Sequence, residues 1–346
     1  MPEDDAGTGL SGSWGALTIA VPIISTNEGE LLRHALPAVL AQEDVEIVIV
    51  DNASEDCTAE VAQEFGVRRL ALTKRRPYSA AMNEALAHTG GEAVLMMQPD
   101  CFLTPGFLGV LRVHLEDPSV GSVAPKLIRA EGPAEHQRLH LLDTAGMVVD
   151  RRRKNGLVGH GRPSSEYGAP AEIFGADGAA ALYRRQALED AAVEGEVFDE
   201  NMVATREGSF ADWGSDADLA WRLRLLGWRC EYEPRAVAYH VRRYSPTTRS
   251  RVPEWQRMVQ FRNRYLMIVK NDPARRLLLD LPIILAYELV ALGFALLRER
   301  FLIRGYVEAA ALLPAMLRRR RILQRQARLR RASACPYDLQ APSSSR

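Results

Sequence analysis

The sequence predicts an α/β fold, with a mostly parallel sheet covered by helices on both faces. The first sign is alternation. Four short apolar or β-branched runs near the start of the chain are separated by segments of helical periodicity, as in a doubly covered parallel sheet. The second sign is where acids fall. Asp51 ends one of these runs, and Asp100 closes the Gln98-Pro99-Asp100 step after another. Open α/β sheets bind ligands at the carboxyl ends of their strands. The third sign is composition: 47% apolar and 25% charged residues in a chain of 346 give a true core, in one large domain or two ordinary ones.

The elements follow in order. Ala16 to Val21 reads as the first strand, ended by Pro22, and Leu31 to Ala41 has helical periodicity. Glu46 to Val50 is a β-branched strand that ends at Asp51-Asn52. Ser54 can cap a helix through Phe65, with Gly66 as its stop. Val67 to Leu72 is a third strand, Ser79 to His88 a helix stopped at Gly90-Gly91, and Ala93 to Met97 a fourth strand. Further on, Val120 to Ala124 and Ala179 to Tyr183 read as strands, with Arg129 to Tyr167 as loop-rich chain between them. Asp216 to Leu226 is a helix closed by Gly227, Arg229 to Tyr232 and Ala236 to His240 are short strands, and Trp255 to Val269 is helical. No internal repeat is visible.

The C-terminal part changes character. Leu281 to Leu297 is apolar apart from Glu288, somewhat shorter than the ~20 residues that span a bilayer. Phe301 to Leu317 is apolar with Arg304 and Glu308 one turn apart, and eight arginines follow between Arg318 and Arg331. The formal net charge of zero therefore hides a net −8 from Met1 to Leu317. These helices read as lying on a membrane with the arginines on anionic headgroups. The alternative is a hairpin packed on the protein's own core with a solvated tail. The expected organisation is a tail over 1–14, one α/β domain over 15–275, a membrane-associating helical extension over 276–331 and a disordered tail over 332–346. The four cysteines, Cys57, Cys101, Cys230 and Cys335, form no CxxC and read as free thiols in a reducing compartment. Met1 to Trp14 is acidic and polar with no apolar core for export, so the expected location is cytoplasmic, peripheral on the inner membrane face.

Two acidic places carry the chemistry. Asp100, after a buried strand, is the right group to hold a divalent cation against a diphosphate. Asp216, on a later helix, could take a proton from an attacking hydroxyl. Asp218 lies two residues on and can pair with Arg222 at i,i+4. His240 ends a predicted strand, where it is either a metal ligand or a satisfied structural histidine.

The chain resembles the inverting family 2 glycosyltransferases of the GT-A fold, nearest the bacterial rhamnosyltransferase-like group. The likeness runs from about Leu17 to Lys270. It is carried in order by Val21-Pro22-Ile23-Ile24-Ser25-Thr26-Asn27, Val50-Asp51-Asn52-Ala53-Ser54, Tyr78 to Ala85, Gln98-Pro99-Asp100, Gly175 to Ala180, Val197 to Glu200, Asp216 to Arg222, Gly227-Trp228, His240 and Arg262-Asn263-Arg264. Each piece alone is weak, and the ordered set is specific. The resemblance implies a Rossmann-like nucleotide-binding half and an acceptor half. It implies Pro22, Thr26, Asp51, Asn83, Gln98, Asp177, Gly178 and Asp218 as donor or substrate contacts, with Asp51 on the base. It also implies Asp100 and His240 as ligands of Mg²⁺ or Mn²⁺, and Asp216 as general base. Asn83 is otherwise a surface polar residue, and Asp177 otherwise an exposed loop acid. Gln98 stands where many relatives have the first acid of a DxD, and Ser215 where a glutamate is usual.

The implied activity is sugar transfer, with inversion, from a nucleotide-diphospho-sugar (first dTDP-L-rhamnose) to a glycan acceptor on a lipid carrier, in cell-surface polysaccharide synthesis. The partners implied are that donor, that acceptor and an anionic membrane surface; nucleic acid is not among them. A silent nucleotide-sugar-binding scaffold is the alternative that Gln98 and Ser215 allow. A sugar nucleotidyltransferase would carry a Gly-rich basic loop after its first strand, but Pro22 to Glu30 has one Gly and no basic residue. No G-x-G-x-x-G follows the first strand, which argues against a dinucleotide oxidoreductase.

Overall fold

The computed structural model describes residues 18–242 and 246–330. Strands β1 (Ile19–Ser25), β2 (Val45–Asp51), β3 (Arg68–Ala71) and β4 (Ala93–Met97) alternate with helices α1 (Gly29–Leu40), α2 (Thr58–Glu64) and α3 (Tyr78–Ala87). After them come β5 (Cys101–Leu103), α4 (Phe107–Arg112), β6 (Val120–Ala130), β7 (Arg138–Thr144), β8 (Met147–Val149), β9 (Asn155–Leu157), β10 (Ala171–Ile173) and β11 (Ala180–Arg184). The rest is α5 (Arg185–Ala191), β12 (Ala204–Arg206), β13 (Ser209–Ala211), α6 (Ser215–Leu225), β14 (Arg229–His240), α7 (Glu254–Asn271), α8 (Ala274–Leu279), α9 (Leu281–Leu297) and α10 (Ile303–Leu329).

One ten-stranded sheet runs β10-β14-β6-β11-β4-β1-β2-β3, with β5 on β14 and β7 on β6. Strands β4, β1, β2 and β3 are parallel neighbours. β11 lies antiparallel to both β4 and β6 and joins the two halves. The period-2 pleat sorts side chains to two cores. Ile47 and Ile49 pack with Leu32 and Leu36 of α1 on one face. Val48 and Val50 pack on the other with Met82 of α3 and with Leu219 and Leu223 of α6.

Three expectations change. Pro22 does not end β1 but lies buried within it. Its fixed φ suits extended chain, and the ladder to β4 passes from Ala20 to Ile23 without it. The stretch Arg129 to Tyr167 carries β7, whose apolar residues are interleaved with polar and charged ones, and the three-residue strands β8 and β9, too short to stand out in sequence. The two short strands near the end are one strand, β14, with a register shift between Glu233 and Val237 where Pro234 withholds a donor.

The C-terminal helices also part company. α10 is no separable extension: Met316 and Leu323 are fully buried in clusters with Trp221 and Leu225 of α6. Its arginines turn to the body. Arg318 pairs with Glu194 at 2.6 Å, buried Arg319 with Glu196 at 2.7 Å, and Arg330 with Asp190. Only Arg321, Arg325 and Arg328 of that run stand exposed without a body acid among the described residues. No described helix is long and apolar enough to cross a membrane. Residues 1–14 and 332–346, Ala16 and Leu17, and Arg331 lie outside the described residues.

Candidate active site

The carboxyl ends of β1, β2 and β4 form an open edge, and the chain that follows each is tied to its neighbours. Asn52, just past β2, donates from Nδ2 to Thr26 Oγ1 (3.0 Å) and to the Arg76 carbonyl (2.9 Å), and its Oδ1 accepts from Arg76 N (2.8 Å). Thr26 and the segment leading into α3 are thereby fixed against β2. Asp51 is buried; its Oδ1 accepts from Ser54 N at 2.9 Å, and its Oδ2 from Arg69 Nε at 2.8 Å. Arg69 Nη2 also bonds Oδ2, at 2.5 Å, so of the two oxygens only Oδ1 keeps a lone pair for another donor.

Gln98 is half-buried after β4, and its backbone N–H donates to Ala179 O at 2.9 Å. That bond sets the Asp177-Gly178 loop beside Asp100. Asp100 is buried, and its Oδ1 lacks a hydrogen-bond partner. It faces His240 Nε2 at 3.5 Å. The other ring nitrogen, Nδ1, bonds Asp143 Oδ2 at 2.8 Å. Burial alone would lower the His240 pKa, but the close Asp100 and Asp143 carboxylates outweigh it and lift it to about 9. A carboxylate–histidine pair with the second nitrogen held by another carboxylate is how proteins orient a metal-ligating imidazole. The unpartnered Asp100 oxygen and the negative field on Nε2 both fit a divalent cation. Among the described residues no third His, Cys, Asp or Glu joins them into a closed cage.

Asp143 and Arg242 escaped the sequence reading. Arg242 Nε bonds Asp143 Oδ1 at 2.7 Å, and Arg242 Nη2 bonds Asp177 Oδ2 at 2.9 Å. Burial would raise the Asp143 pKa, yet the His240 bond and the Arg242 charge hold it well below the usual carboxylate range. The signal for Arg242 was its place two residues after His240; Asp143 had none, lying in chain read as loop. Asp177 is thus buried and paired, not an exposed loop acid; its Oδ1 also accepts from Ala179 N at 2.9 Å.

Asp216 stands in the first turn of α6, which enters through Gly214 at φ +80°. Its Oδ1 accepts from Ala217 N at 2.8 Å, and its Oδ2 from Gly178 N at 3.3 Å. Burial, then the negative charge of Asp177, raises its pKa to about 6. A Cβ on Gly178 would lie 3.6 Å from the Asp216 Cβ, so a side chain there would cover the carboxylate's open face. Gly175 serves a different end: a Cβ there would lie 2.2 Å from the Ala220 Cβ, so it lets α6 pack close.

Three expected contacts belong to the scaffold instead. Pro22 is inside β1. Asn83 clasps Phe198, its Oδ1 accepting from the Phe198 N–H and its Nδ2 donating to the Phe198 carbonyl, both at 2.9 Å; Nδ2 also reaches Glu200. Asp218 is fully buried and holds Arg222 at 2.9 Å, Lys270 at 2.9 Å and Asn271 at 2.8 Å. The polar capacity of both side chains is spent inside the fold. The structure therefore gathers Asp100, His240, Asp177, Gly178 and Asp216 around the β4–β11 junction, with Asp51 and Thr26 further along the same edge.

Residues 20–191, close to half of the chain, match the model of glycosyl transferase family 2. An uncharacterized protein of Mycobacterium tuberculosis is 28% identical over 287 residues, covering 79% of this chain and 82% of its own length. The pre-mycofactocin glycosyltransferase of that species is 28% identical over 235 residues, 66% of this chain and 43% of the relative. This chain thus spans less than half the length of that enzyme. Among solved structures, S. aureus TarS 1–349 in complex with UDP-GlcNAc superposes with a TM-score of 0.57 at 16% identity, over 90% of this chain and 92% of that one. The mannosyltransferase PcManGT of Pyrobaculum calidifontis, in complex with GDP-Man and Mn²⁺, gives 0.50 at 18% identity over 90% and 86%. At such identities these structures speak to the fold, which they share.

Proposed function

The chain belongs to glycosyl transferase family 2, and from that premise we propose that it inverts an anomeric centre in a single displacement from a nucleotide-diphospho-sugar. The observation that carries the proposal is the line of charge from Asp100 through His240, Asp143 and Arg242 to Asp177, with Asp216 beside it. Asp100 and His240 would hold Mg²⁺ or Mn²⁺. When bound, such a cation neutralises charge gathering on a departing diphosphate. Asp51, with a free lone pair on Oδ1, would accept the N3 hydrogen of a uracil or thymine base. Asp216 would take the proton of the acceptor hydroxyl as it attacks, and the uncovered space at Gly178 leaves room for that hydroxyl. The raised Asp216 pKa makes it a stronger base than a solvated carboxylate. Arg242 would keep Asp177 fixed beside it.

The first donor to test is dTDP-L-rhamnose, for the Gln98-Pro99-Asp100 step; UDP-GlcNAc stands next to it because TarS is seen with it. The proposed acceptor is a growing glycan on a lipid carrier at the cytoplasmic membrane face. A panel of nucleotide sugars, each incubated with Mg²⁺ or Mn²⁺, tests the core of the proposal by release of nucleoside diphosphate. Release from at least one donor, lost on chelation and in Asp100→Ala, is expected. Donor binding without turnover, unchanged by Asp100→Ala, would favour the silent scaffold instead.

A further inference from the structure

The large apolar side chains exposed among the described residues are not scattered. Ten of them, from 38% to 83% exposed, lie in consecutive helices α8 and α9; Leu279, Leu285, Leu289, Val290, Phe294 and Leu297 are among them. Monomeric soluble proteins seldom show so continuous a patch without a partner. α9 itself is firmly seated. Ile284 and Ala295 are buried beneath it. Glu288 accepts from Arg264 at 2.6 Å and from the Tyr265 hydroxyl. At the ends of the helix, Asp280 bonds Arg153 at 2.8 Å, and Glu299 holds Arg249 at 2.5 Å and also Arg257. Three acids thus pin α9 to the body, and every acid of the segment is consumed on that side. What faces outward is apolar, and the exposed charges flanking it, Arg275, Arg298 and Arg300, are all positive.

We propose that the α8–α9 face lies in the plane of an anionic bilayer surface, its leucines below the headgroups and its flanking arginines among them. This goes beyond the catalytic reading and stands on the surface alone. The charge pattern selects the occupant. A second copy of the chain, packed α9 on α9 across a two-fold axis, would bring arginine-bearing ends together with no acid to meet them. Anionic headgroups meet both the apolar face and the basic flanks. Seventeen residues make a helix about 26 Å long, and lying flat suits its seating, since standing upright would tear Glu288 from Arg264. The arginines of α10 are not the main contact, because Arg318, Arg319 and Arg330 are already paired with the body.

The test uses the full chain and co-sedimentation with vesicles of phosphatidylglycerol mixed with phosphatidylcholine, against phosphatidylcholine alone. The parent protein should bind the anionic vesicles, less so at high salt but still measurably. The double variant Leu289→Glu, Leu297→Glu changes only exposed positions, so it should keep the melting temperature and lose about tenfold in vesicle binding. The triple variant Arg321→Gln, Arg325→Gln, Arg328→Gln should keep most of the binding. Equal binding by parent and double variant overturns the proposal. So does a parent dimer in sedimentation equilibrium that the double variant dissociates, which would assign the face to a second copy. Vesicle binding with no donor turned over would leave this surface standing and remove the proposed function alone.

Discussion

Asp216 and Asp218 sit two residues apart on α6 and meet opposite surroundings. Asp218 is neutralised by Arg222 and Lys270, with Asn271 on its other oxygen. Asp216 has only two backbone N–H groups, and burial followed by the Asp177 charge lifts its pKa to about 6. A raised pKa means the base is ready above that pH and protonated below it. The rate under kcat/KM conditions should therefore fall as pH drops through about 6. Asp216→Asn should slow turnover by about 10²–10⁴ and leave donor affinity nearly unchanged. Asp218→Asn should instead destabilise the fold, on the order of 3 kcal/mol in denaturant unfolding, because a buried lysine loses part of its counter-charge. A larger catalytic loss in a stable Asp218→Asn protein would reverse the two roles. The sequence marks this acidic pair and the i,i+4 step from Asp218 to Arg222, but the Lys270 and Asn271 contacts that complete the burial of Asp218 lie 52 and 53 residues downstream, and only folding supplies them.

Strand β7 shows the same limit one level up. Its polar, interrupted sequence gives no strand signal, yet it pairs with β6, which itself pairs with β14. The outcome is a buried carboxylate, Asp143, against the ring of His240. Asp143→Asn keeps the shape but cannot offer carboxylate oxygens to both His240 and Arg242. It should weaken Mn²⁺ binding about 10–100-fold, read from free Mn²⁺ by electron paramagnetic resonance during titration. Unchanged Mn²⁺ affinity in a folded Asp143→Asn protein would confine Asp143 to a structural role. By contrast β1, β2 and β4, with helices α1 and α3, were legible to within a few residues. They are apolar and periodic and depend chiefly on their own sequence.

At the scale of the molecule, the decisive finding concerns α10. Its sequence reads as a basic tail, but it closes the core over α6 and α7. Arg319 joins Glu196 and reaches Asp199, which also holds buried Lys270 and through it Asp218. A chain cut after Leu302 would lose Met316 and Leu323 and uncover the side chains they cover, Trp221 and Leu225 among them. Each such side chain is worth about 1.5–3 kcal/mol, and together they approach the whole stability of an ordinary domain, about 5–15 kcal/mol. The truncated protein should lose its cooperative thermal transition. A soluble fragment that melts cooperatively and still binds donor would mean that α10 is dispensable after all. The acidic body and basic tail, seen in sequence as two regions of opposite charge, meet through Arg318, Arg319 and Arg330.

Sequence alone determined the α/β class, the order of the nucleotide-binding half and the acids at its open edge. Alternating apolar runs and turn residues are local signals, and the pleat turns them into strands wherever they occur. It also marked Asp100, His240 and Asp216, since strand ends and helix starts are legible in one dimension. Tertiary structure decided what those groups touch. It set Asp143 and Arg242 behind the histidine, withdrew Asn83 and Asp218 into the scaffold, and divided the C-terminal helices between core and surface. Helical i,i+4 steps such as Asp218 to Arg222 are local, but the longer charge pairings and burial depend on residues distant in the chain, and no local pattern in this sequence records them.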